Sequence, residues 1–186
     1  MNKSKVRSKI LKLRRKYFNK NYKINLDKFF SFLKINIHNS KKIGGYYPSN
    51  YEIDDLEILD ALDKKNYKIS LPIIRKNNQM NFYSWSKKDP LKINKFGIPE
   101  PVSLKILYPD ILLVPLVGYD KNLNRLGYGG GFYDRYIEKI DKIKKVTKIG
   151  LAFSYQKIKS VPIDQHDKKL DFIITEKEII KWKYYF

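Results

Sequence analysis

The chain has 186 residues, 42% of them hydrophobic and 15% aromatic, and carries a formal net charge of +20 at pH 7. This apolar content excludes a disordered protein, and no stretch reaches the roughly 18 consecutive apolar residues of a membrane span. Because cysteine is absent and only two histidines occur, a metal would have to be held by oxygen ligands. We therefore expect one domain covering residues 1–186 of a cytoplasmic protein, without membrane attachment.

The basic charge raises the question of nucleic-acid binding, since lysine and arginine neutralise phosphates. Only six of the 39 basic residues are arginines, the type suited to bidentate contacts with phosphate and guanine. Lysine, isoleucine and asparagine are abundant together, which indicates A/T-rich codons rather than a basic groove. We predict no nucleic acid as the main partner. The alternative, a basic RNA-associated protein, would bind nucleic acid with strong salt dependence.

The first predicted element is a helix over residues 3–18, where apolar residues recur at steps of four, three and four: Val6, Ile10, Leu13 and Tyr17. Its lysines and arginines are predicted to form a solvated face. This stretch has no acidic residue before Asp27 and is faintly similar to an organellar transit peptide. It is rich in lysine rather than arginine, however, which favours a part of the fold. A second helix is predicted over residues 27–35.

The next segment is predicted to combine strands with one helix. Residues 44–48 form a short strand that enters a turn, and residues 51–65 form a helix whose first turns carry carboxylates. Residues 67–74 and 80–85, rich in β-branched and aromatic side chains, are predicted strands. Residues 87–109 contain four prolines and little periodicity, so they are predicted to be a long connection.

The sequence of the second half of the chain predicts a strand, a helix and a strand in succession. Residues 111–117 are continuously apolar, as in a parallel strand covered on both faces. A helical pattern covers residues 132–143, and strands are predicted over residues 146–153 and 172–175. The chain is thus predicted to be an α/β protein, a single domain with a mainly parallel central sheet and helices on both faces.

Four glycines lie between the strand of residues 111–117 and the following helix: Gly127, Gly129, Gly130 and Gly131. Their backbone amides can approach an anion closely, and the helix N-terminus adds partial positive charge. Arg125 supplies a fork for phosphate oxygens, so the segment is predicted to cradle a nucleotide phosphate. Its spacing matches neither a P-loop nor a dinucleotide-binding fingerprint, and a tight turn is the alternative on spacing alone.

Longer motifs surround this loop. Leu113-Val-Pro-Leu-Val-Gly-Tyr-Asp120 precedes Arg125-Leu-Gly-Tyr-Gly-Gly-Gly-Phe-Tyr-Asp-Arg135. Further motifs follow one order along nearly the whole chain: Lys3-Ser-Lys-Val-Arg7, Tyr47-Pro-Ser-Asn-Tyr-Glu52, Phe96-Gly-Ile-Pro-Glu-Pro101, Gly150-Leu-Ala-Phe153, Val161-Pro-Ile-Asp-Gln-His-Asp167 and Leu170-Asp171. Together they resemble the 5-formyltetrahydrofolate cyclo-ligase family, whose members are also called methenyltetrahydrofolate synthetases.

The resemblance implies an activity and a fold. Family members couple ATP hydrolysis to closure of 5-formyltetrahydrofolate into 5,10-methenyltetrahydrofolate, with Mg²⁺ as cofactor. The γ-phosphoryl group activates the formyl oxygen, and nitrogen 10 of the folate then closes the ring. The implied fold is Rossmann-like, with an isomerase and CoA-transferase type of topology. We expect a monomer whose partners are the small molecules ATP and folate.

The resemblance also assigns residues to each ligand. For ATP they are Lys3, Arg7, Arg125, Leu126, Gly127, Tyr128, Gly129, Gly130, Gly131, Phe132 and Tyr133. For the folate they are Tyr47, Glu52, Tyr128, Gly129, Gly130, Gly131 and Phe132, where the Glu52 carboxylate would accept hydrogen bonds from the pterin ring. Asp134 and Asp167 are assigned to Mg²⁺, which prefers hard oxygen ligands. Arg125, Tyr133 and Asp134 are the expected catalytic residues.

Several residues keep two interpretations. On sequence alone Asp134 could complement a helix N-terminus, and Asp167 could be an ordinary loop residue. Trp85 fits core packing better than a wall of the pterin site, whereas residues 96–101 are expected to form such a wall. His166 receives no catalytic step. Some relatives carry lysine at the position of Gly130, so Arg125 or Arg135 would have to supply that charge here. A further alternative for the whole chain is an ATP-using enzyme on the same scaffold with another substrate.

Overall fold

A computed structural model describes residues 2–19, 21–37, 40–75 and 78–182. The helices are α1 (Lys3–Tyr17), α2 (Leu26–Asn36), α3 (Leu56–Asp63) and α4 (Phe132–Asp141). The strands are β1 (Lys42–Gly44), β2 (Lys68–Ile74), β3 (Met80–Ser84), β4 (Leu91–Ile93), β5 (Pro99–Pro101), β6 (Ile111–Pro115), β7 (Gly118–Tyr119), β8 (Arg125–Leu126), β9 (Thr147–Leu151), β10 (Phe172–Ile174) and β11 (Ile179–Lys181). None of the helices in these ranges has the length and apolar character needed to cross a bilayer.

The centre of the fold is a seven-stranded sheet with the order β11-β10-β9-β6-β1-β2-β3. Its five inner strands run parallel, and β3 and β11 add antiparallel edges. The side chains of Leu112, Leu113 and Val114 on β6 are fully buried, as the unbroken apolar sequence of this strand predicts. The prediction of an α/β fold with a mainly parallel sheet is confirmed.

Two apolar clusters cover the two faces of the sheet. Because side chains alternate along a strand, Leu113 faces the cluster that includes α2 and α3, whereas Leu112 and Val114 face the cluster that includes α4. A third, smaller cluster packs Val6 and Ile10 of α1 against the segment that leaves β6. Helices therefore lie on both faces, and α1 lies near the carboxyl end of β6.

Some predicted boundaries are wrong, each for a local reason. The helix predicted over residues 51–65 begins at Leu56, because the Asp54 side chain accepts a hydrogen bond from the Leu56 amide in a tight turn. Glu52 therefore lies in the turn before α3. The connection of residues 87–109 contains the hairpin of β4 and β5, whose three-residue strands are too short to show periodicity in the sequence.

The connections of the sheet reverse direction beside β1. The chain passes from β1 to its neighbour β2 on one side, whereas β6, on the other side of β1, leads outward to β9. Loops at the carboxyl ends of β1 and β6 consequently diverge and leave a crevice between them. Open α/β sheets bind their ligands in such a crevice.

Candidate functional site

A cleft of about 860 Å³ lies at this crevice. Most of its lining comes from five segments: the first turns of α1, the loop after β1, the turn of the β4–β5 hairpin, the loop from β8 into α4, and the loop before β10. Residues of β2, β3 and β6 complete it. All residues that the sequence assigned to ATP, folate or Mg²⁺ are among its lining residues. Asp164, which the sequence analysis did not assign, also lines the cleft.

The loop between β8 and α4, residues 127–131, wraps around the guanidinium of Arg7. Arg7 Nε donates a hydrogen bond of 2.7 Å to the carbonyl oxygen of Gly127. At Gly129, with φ +104°, an added Cβ would lie 3.4 Å from the Arg7 guanidinium carbon. Gly131, with φ +65°, immediately precedes the first turn of α4. The loop thus combines backbone amides, a helix N-terminus and a cation, which is the arrangement that favours bound phosphate.

Lys3, one helical turn before Arg7, contacts two carboxylates. Its ammonium donates to Asp167 at 2.5 Å and to Asp164 at 2.7 Å. The Asp164 amide also donates to Asp167, at 2.7 Å. Burial raises the pKa of Asp167, but the hydrogen bonds from Lys3 and from the Asp164 amide outweigh it and hold the pKa below its ordinary value. Asp167 is therefore ionised at neutral pH.

Arg125 and Asp134 form an ion pair at the base of the same loop. Arg125 Nη2 lies 2.6 Å from Asp134 Oδ1, and the arginine side chain is only 5% exposed. The same carboxylate oxygen accepts a hydrogen bond of 3.0 Å from the Lys168 amide. Asp134 also lies in the first turn of α4, where the helix dipole favours negative charge. Asp134 therefore complements the helix N-terminus and also lines the cleft, so the two interpretations of this residue do not exclude each other.

The carboxylates of Asp134 and Asp167 leave suitable oxygens for a hard cation. Asp134 Oδ2 and Asp167 Oδ1 accept no hydrogen bond from the described residues, and both side chains line the cleft beside the glycine loop. No group of three or more potential metal-ligating side chains occurs within the ranges that the structure describes. Mg²⁺ commonly takes only one or two carboxylates and completes its octahedron with water and substrate phosphates, so this donor set fits.

Glu52 is buried and lines the cleft from the loop after β1. Its Oε2 accepts hydrogen bonds from the Ser49 amide at 2.7 Å and the Ser49 hydroxyl at 3.2 Å. Burial dominates and holds the pKa of Glu52 above its ordinary value, although the hydrogen bonds from Ser49 and the charge of Arg14 act in the opposite direction. A carboxylate in this position can accept hydrogen bonds from a ligand that enters the cleft.

Arg14 is the principal residue near the site that the sequence analysis missed. It was placed on a solvated face of α1, but its side chain is 1% exposed, and the buried residues of this helix are Val6, Ile10 and Arg14. Tyr17, predicted to belong to the apolar stripe, is instead exposed. The steps of four from Val6 to Ile10 and from Ile10 to Arg14 were a signal that could have identified the buried arginine.

Aromatic and apolar side chains form another wall of the cleft. Phe96 and Phe132 lie edge to face with ring centroids 6.1 Å apart, and Ile98 and Pro99 continue this surface. This agrees with the wall predicted over residues 96–101, except that Glu100 and Pro101 do not line the cleft. Such faces suit the burial of a flat heterocycle.

Three further residues named in the sequence analysis do not line the cleft. Trp85 belongs to the core cluster, as expected. His166 contacts only the Gln165 side chain, at 3.1 Å, among the hydrogen bonds of the described residues. Arg135 is exposed and donates 2.8 Å to the carbonyl oxygen of Gly130. Of the two arginines considered as substitutes for a lysine at Gly130, only Arg125 therefore lines the cleft.

Taken together, the parallel sheet, the crevice at its point of reversal and the glycine loop beside two cations place the chain among α/β proteins whose cleft is suited to phosphate groups. A model of the 5-formyltetrahydrofolate cyclo-ligase family matches residues 1–176, and the chain belongs to this family. The resemblance found in the motifs is thereby confirmed, as is the prediction that the chain is an enzyme of the ligase class.

Individual relatives agree with this assignment. A 5-formyltetrahydrofolate cyclo-ligase of Haemophilus influenzae is 33% identical over 143 residues, covering 73% of this chain and 76% of the relative. The NMR structure of the Aquifex aeolicus 5,10-methenyltetrahydrofolate synthetase superposes with a TM-score of 0.75 at 30% identity, covering 97% of this chain and 93% of that one. A 5,10-methenyltetrahydrofolate synthetase from Mycoplasma pneumoniae gives a TM-score of 0.72 at 25% identity, covering 95% of this chain and all of that one.

Proposed function

We propose that the chain catalyses the ATP-dependent closure of 5-formyltetrahydrofolate to 5,10-methenyltetrahydrofolate, with release of ADP and phosphate. The main support for the proposal is that all residues assigned from the motifs line one cleft, although they come from four segments distant in sequence. A glycine cluster serving only as a tight turn would not require Lys3, Glu52 and Asp167 to line the same cavity.

The phosphate groups of ATP are assigned to the glycine loop and the start of α1. Arg7 and the loop amides surround one position, and Lys3 and Arg125 bring further positive charge to it. In the proposed complex these groups orient the γ-phosphoryl group and neutralise its charge, which is the protein's main task in phosphoryl transfer. Asp134 and Asp167 would hold Mg²⁺, which supplies charge neutralisation at the phosphates when bound.

The folate is assigned to the side of the cleft that contains Tyr47, Glu52 and the Phe96–Phe132 wall. Glu52 would accept hydrogen bonds from the pterin ring and so orient the formyl group toward the glycine loop. Tyr133 would complete the site with its hydroxyl group. Burial raises the pKa of Tyr133 far above its ordinary value, so the hydroxyl stays protonated and acts as a hydrogen-bond donor.

The proposed reaction has two bond exchanges. The formyl oxygen bonds to the γ-phosphorus as the bond between this phosphorus and the bridging oxygen breaks, and ADP leaves. Nitrogen 10 then attacks the formyl carbon and loses its proton, which is taken up by the departing phosphate as the carbon–oxygen bond breaks. The phosphoryl group turns a poor leaving group into a good one, while the residues of the cleft hold the reactants in place and exclude water.

The test is a spectrophotometric ring-closure assay with the purified chain. Methenyltetrahydrofolate absorbance should rise only when ATP, Mg²⁺ and 5-formyltetrahydrofolate are all present. A Glu52→Gln variant should lose folate affinity and keep ATP affinity, because glutamine cannot supply two charged acceptor oxygens. Full activity of this variant with the folate would instead favour another acceptor substrate on the same scaffold.

The proposal includes the setting in which the enzyme acts. We propose a cytoplasmic monomer that depends on Mg²⁺ and binds small anionic molecules rather than nucleic acid. The positive net charge of the chain favours encounter with ATP and folate, which are both anionic. Light scattering that gives a mass above the 22.2 kDa of one chain would contradict the monomer.

A further inference from the structure

The buried guanidinium of Arg14 connects α1 with two other parts of the fold. Arg14 Nη1 donates 3.3 Å to the carbonyl oxygen of Leu116, after β6, and Nη2 donates to the hydroxyl group of Tyr128 in the glycine loop. No carboxylate among the described residues forms an ion pair with it. A buried charge without a compensating partner is costly, so the few groups around Arg14 determine its role.

The chemistry of these groups fixes the direction of the hydrogen bonds. Arginine can only donate, so the Tyr128 oxygen must accept from Arg14, and the single proton of this hydroxyl is left to donate elsewhere. Tyr128 and Glu52 both line the cleft, so this proton can be donated to a group within it. Donation from the charged guanidinium polarises the Tyr128 hydroxyl and makes it a stronger donor.

The hydrogen bond from Arg14 ends at a residue of the proposed active site. Tyr128 lines the cleft, and because the ATP phosphates are assigned to the loop amides, its side chain is left for the folate. The Tyr128 ring also lies against Arg14, with its centroid 5.3 Å from the guanidinium carbon. Arg14 itself does not line the cleft, so it acts on a ligand only through these neighbours.

We propose that Arg14 is a positioning residue for the folate, holding the Tyr128 hydroxyl in the cleft as a hydrogen-bond donor to this ligand. The inference rests on the proposed function, because it concerns the same cleft. A hydrogen bond to a charged group contributes about 1.5–3 kcal/mol, so loss of the Arg14–Tyr128 hydrogen bond weakens folate binding roughly tenfold or more. ATP binding changes little, since Lys3, Arg7 and Arg125 line the cleft independently of Arg14.

A purely structural arginine would behave differently. Its removal would lower the thermal stability of the protein and weaken both ligands to a similar extent. Separate measurements of the two dissociation constants therefore distinguish positioning from general support of the fold. Substitutions of Arg14 and Tyr128 remove the same hydrogen bond, so their effects should also be non-additive, because the second has no remaining interaction to remove.

The experiment measures binding of 5-formyltetrahydrofolate and of ATP by calorimetry, each ligand alone, together with ring closure and thermal unfolding. The variants are Arg14→Met, Arg14→Lys, Tyr128→Phe and the double variant Arg14→Met with Tyr128→Phe. Arg15→Met is the matched control, because Arg15 is the adjacent, exposed arginine of α1. Tyr128→Phe keeps the aromatic ring, so the test stands even if Arg14→Met does not fold.

The expected result is folate binding about tenfold weaker in Arg14→Met and Tyr128→Phe, no further loss in the double variant, and partial recovery in Arg14→Lys. ATP binding stays within about twofold of the unmodified protein. Unchanged folate binding in Tyr128→Phe, or equal weakening of both ligands, overturns the inference alone. An unmodified protein that neither binds the folate nor closes its ring overturns the proposed function, and the inference with it.

Discussion

Arg125 and Asp134 lie at opposite ends of the glycine loop and meet through an ion pair of 2.6 Å between Nη2 and Oδ1. The pair joins the end of the β7–β8 hairpin to the first turn of α4. This ion pair closes the loop between the two residues, so the backbone amides of the loop are held in place before a ligand binds. Preorganised donors of this kind avoid a cost of ordering at the moment of binding.

The Asp134→Asn substitution should abolish ring closure and destabilise the protein by about 1.5–3 kcal/mol, the range for a hydrogen bond to a charged group. The turnover falls because the proposed Mg²⁺ ligand is lost. The stability falls because the buried Arg125 loses its counter-charge. Initial rates at saturating Mg²⁺ and chemical denaturation measure the two effects.

Asp110→Asn is the control for this variant. Asp110 accepts hydrogen bonds from the amides of Lys41 at 3.1 Å and Lys42 at 3.0 Å and pairs with Lys144, all outside the cleft. The Asp110→Asn variant should be less stable than the unmodified protein but keep its turnover per folded molecule. Full turnover in Asp134→Asn would contradict the assignment of this carboxylate.

The Lys3→Met substitution should make the protein less sensitive to acid while weakening ATP binding. The folded-state pKa of Asp167 is below its ordinary value of 3.8, so its stabilising contribution is present above that value and lost as the pH falls through the folded-state pKa. Without Lys3 this contribution shrinks, and the stability difference from the unmodified protein should diminish toward low pH.

Denaturant unfolding at a series of pH values between about 2.5 and 7 measures this difference. Lys23→Met removes an exposed ion pair with Glu57 far from the cleft and serves as the comparison. A stability difference for Lys3→Met that stays constant down to the lowest pH would refute the coupling to Asp167.

The Asp55→Asn substitution should stabilise the protein increasingly as the pH rises. Asp55 is 0% exposed, and burial raises its pKa well above the ordinary value, although the Tyr46 amide donates to it at 3.0 Å. The unmodified protein therefore loses stability as the pH rises from about 4 through the folded-state pKa, by up to about 1.4 kcal/mol per pH unit. Asparagine keeps an acceptor for the Tyr46 amide and carries no charge.

The free energy of unfolding of this variant is best compared with that of Asp54→Asn, which changes the adjacent, exposed carboxylate. Only Asp55→Asn should show an advantage that grows with pH. An equal advantage at pH 4 and pH 8 would argue against an elevated pKa for Asp55.

The Gly129→Ala substitution should weaken ATP binding and ring closure. With φ +104° the backbone at this position is strained for any residue with a Cβ, at a cost of about 1–3 kcal/mol. The added carbon would make only an ordinary contact of 3.4 Å with the Arg7 guanidinium, so the cost comes from the backbone. Gly127→Ala, whose Cβ would meet only Arg125 at 3.5 Å, should cost clearly less. Calorimetric titration with ATP measures both, and equal losses would argue against the strain.

The sequence predicted those features that depend on neighbours in the chain. The buried strand β6 and the loop after β8 are contiguous patterns, and every residue assigned from the motifs along the chain lines the cleft. The burial of Arg14 could be read from its spacing in α1, but its partners could not, because Leu116 and Tyr128 lie 102 and 114 residues away. The strands β7 and β8, with two residues each, are likewise too short to carry a periodic signal.

Because five segments from Lys3 to Asp167 meet only in the native fold, an unfolded or partly folded chain has no cleft in which to hold a ligand. Each bound molecule must therefore raise the melting temperature, by mass action on the folding equilibrium. At a ligand concentration 100 times its dissociation constant, the gain is about 2.7 kcal/mol. Heating the protein with a small collection of nucleotides and pteridines would thus report what it recognises before any turnover is measured.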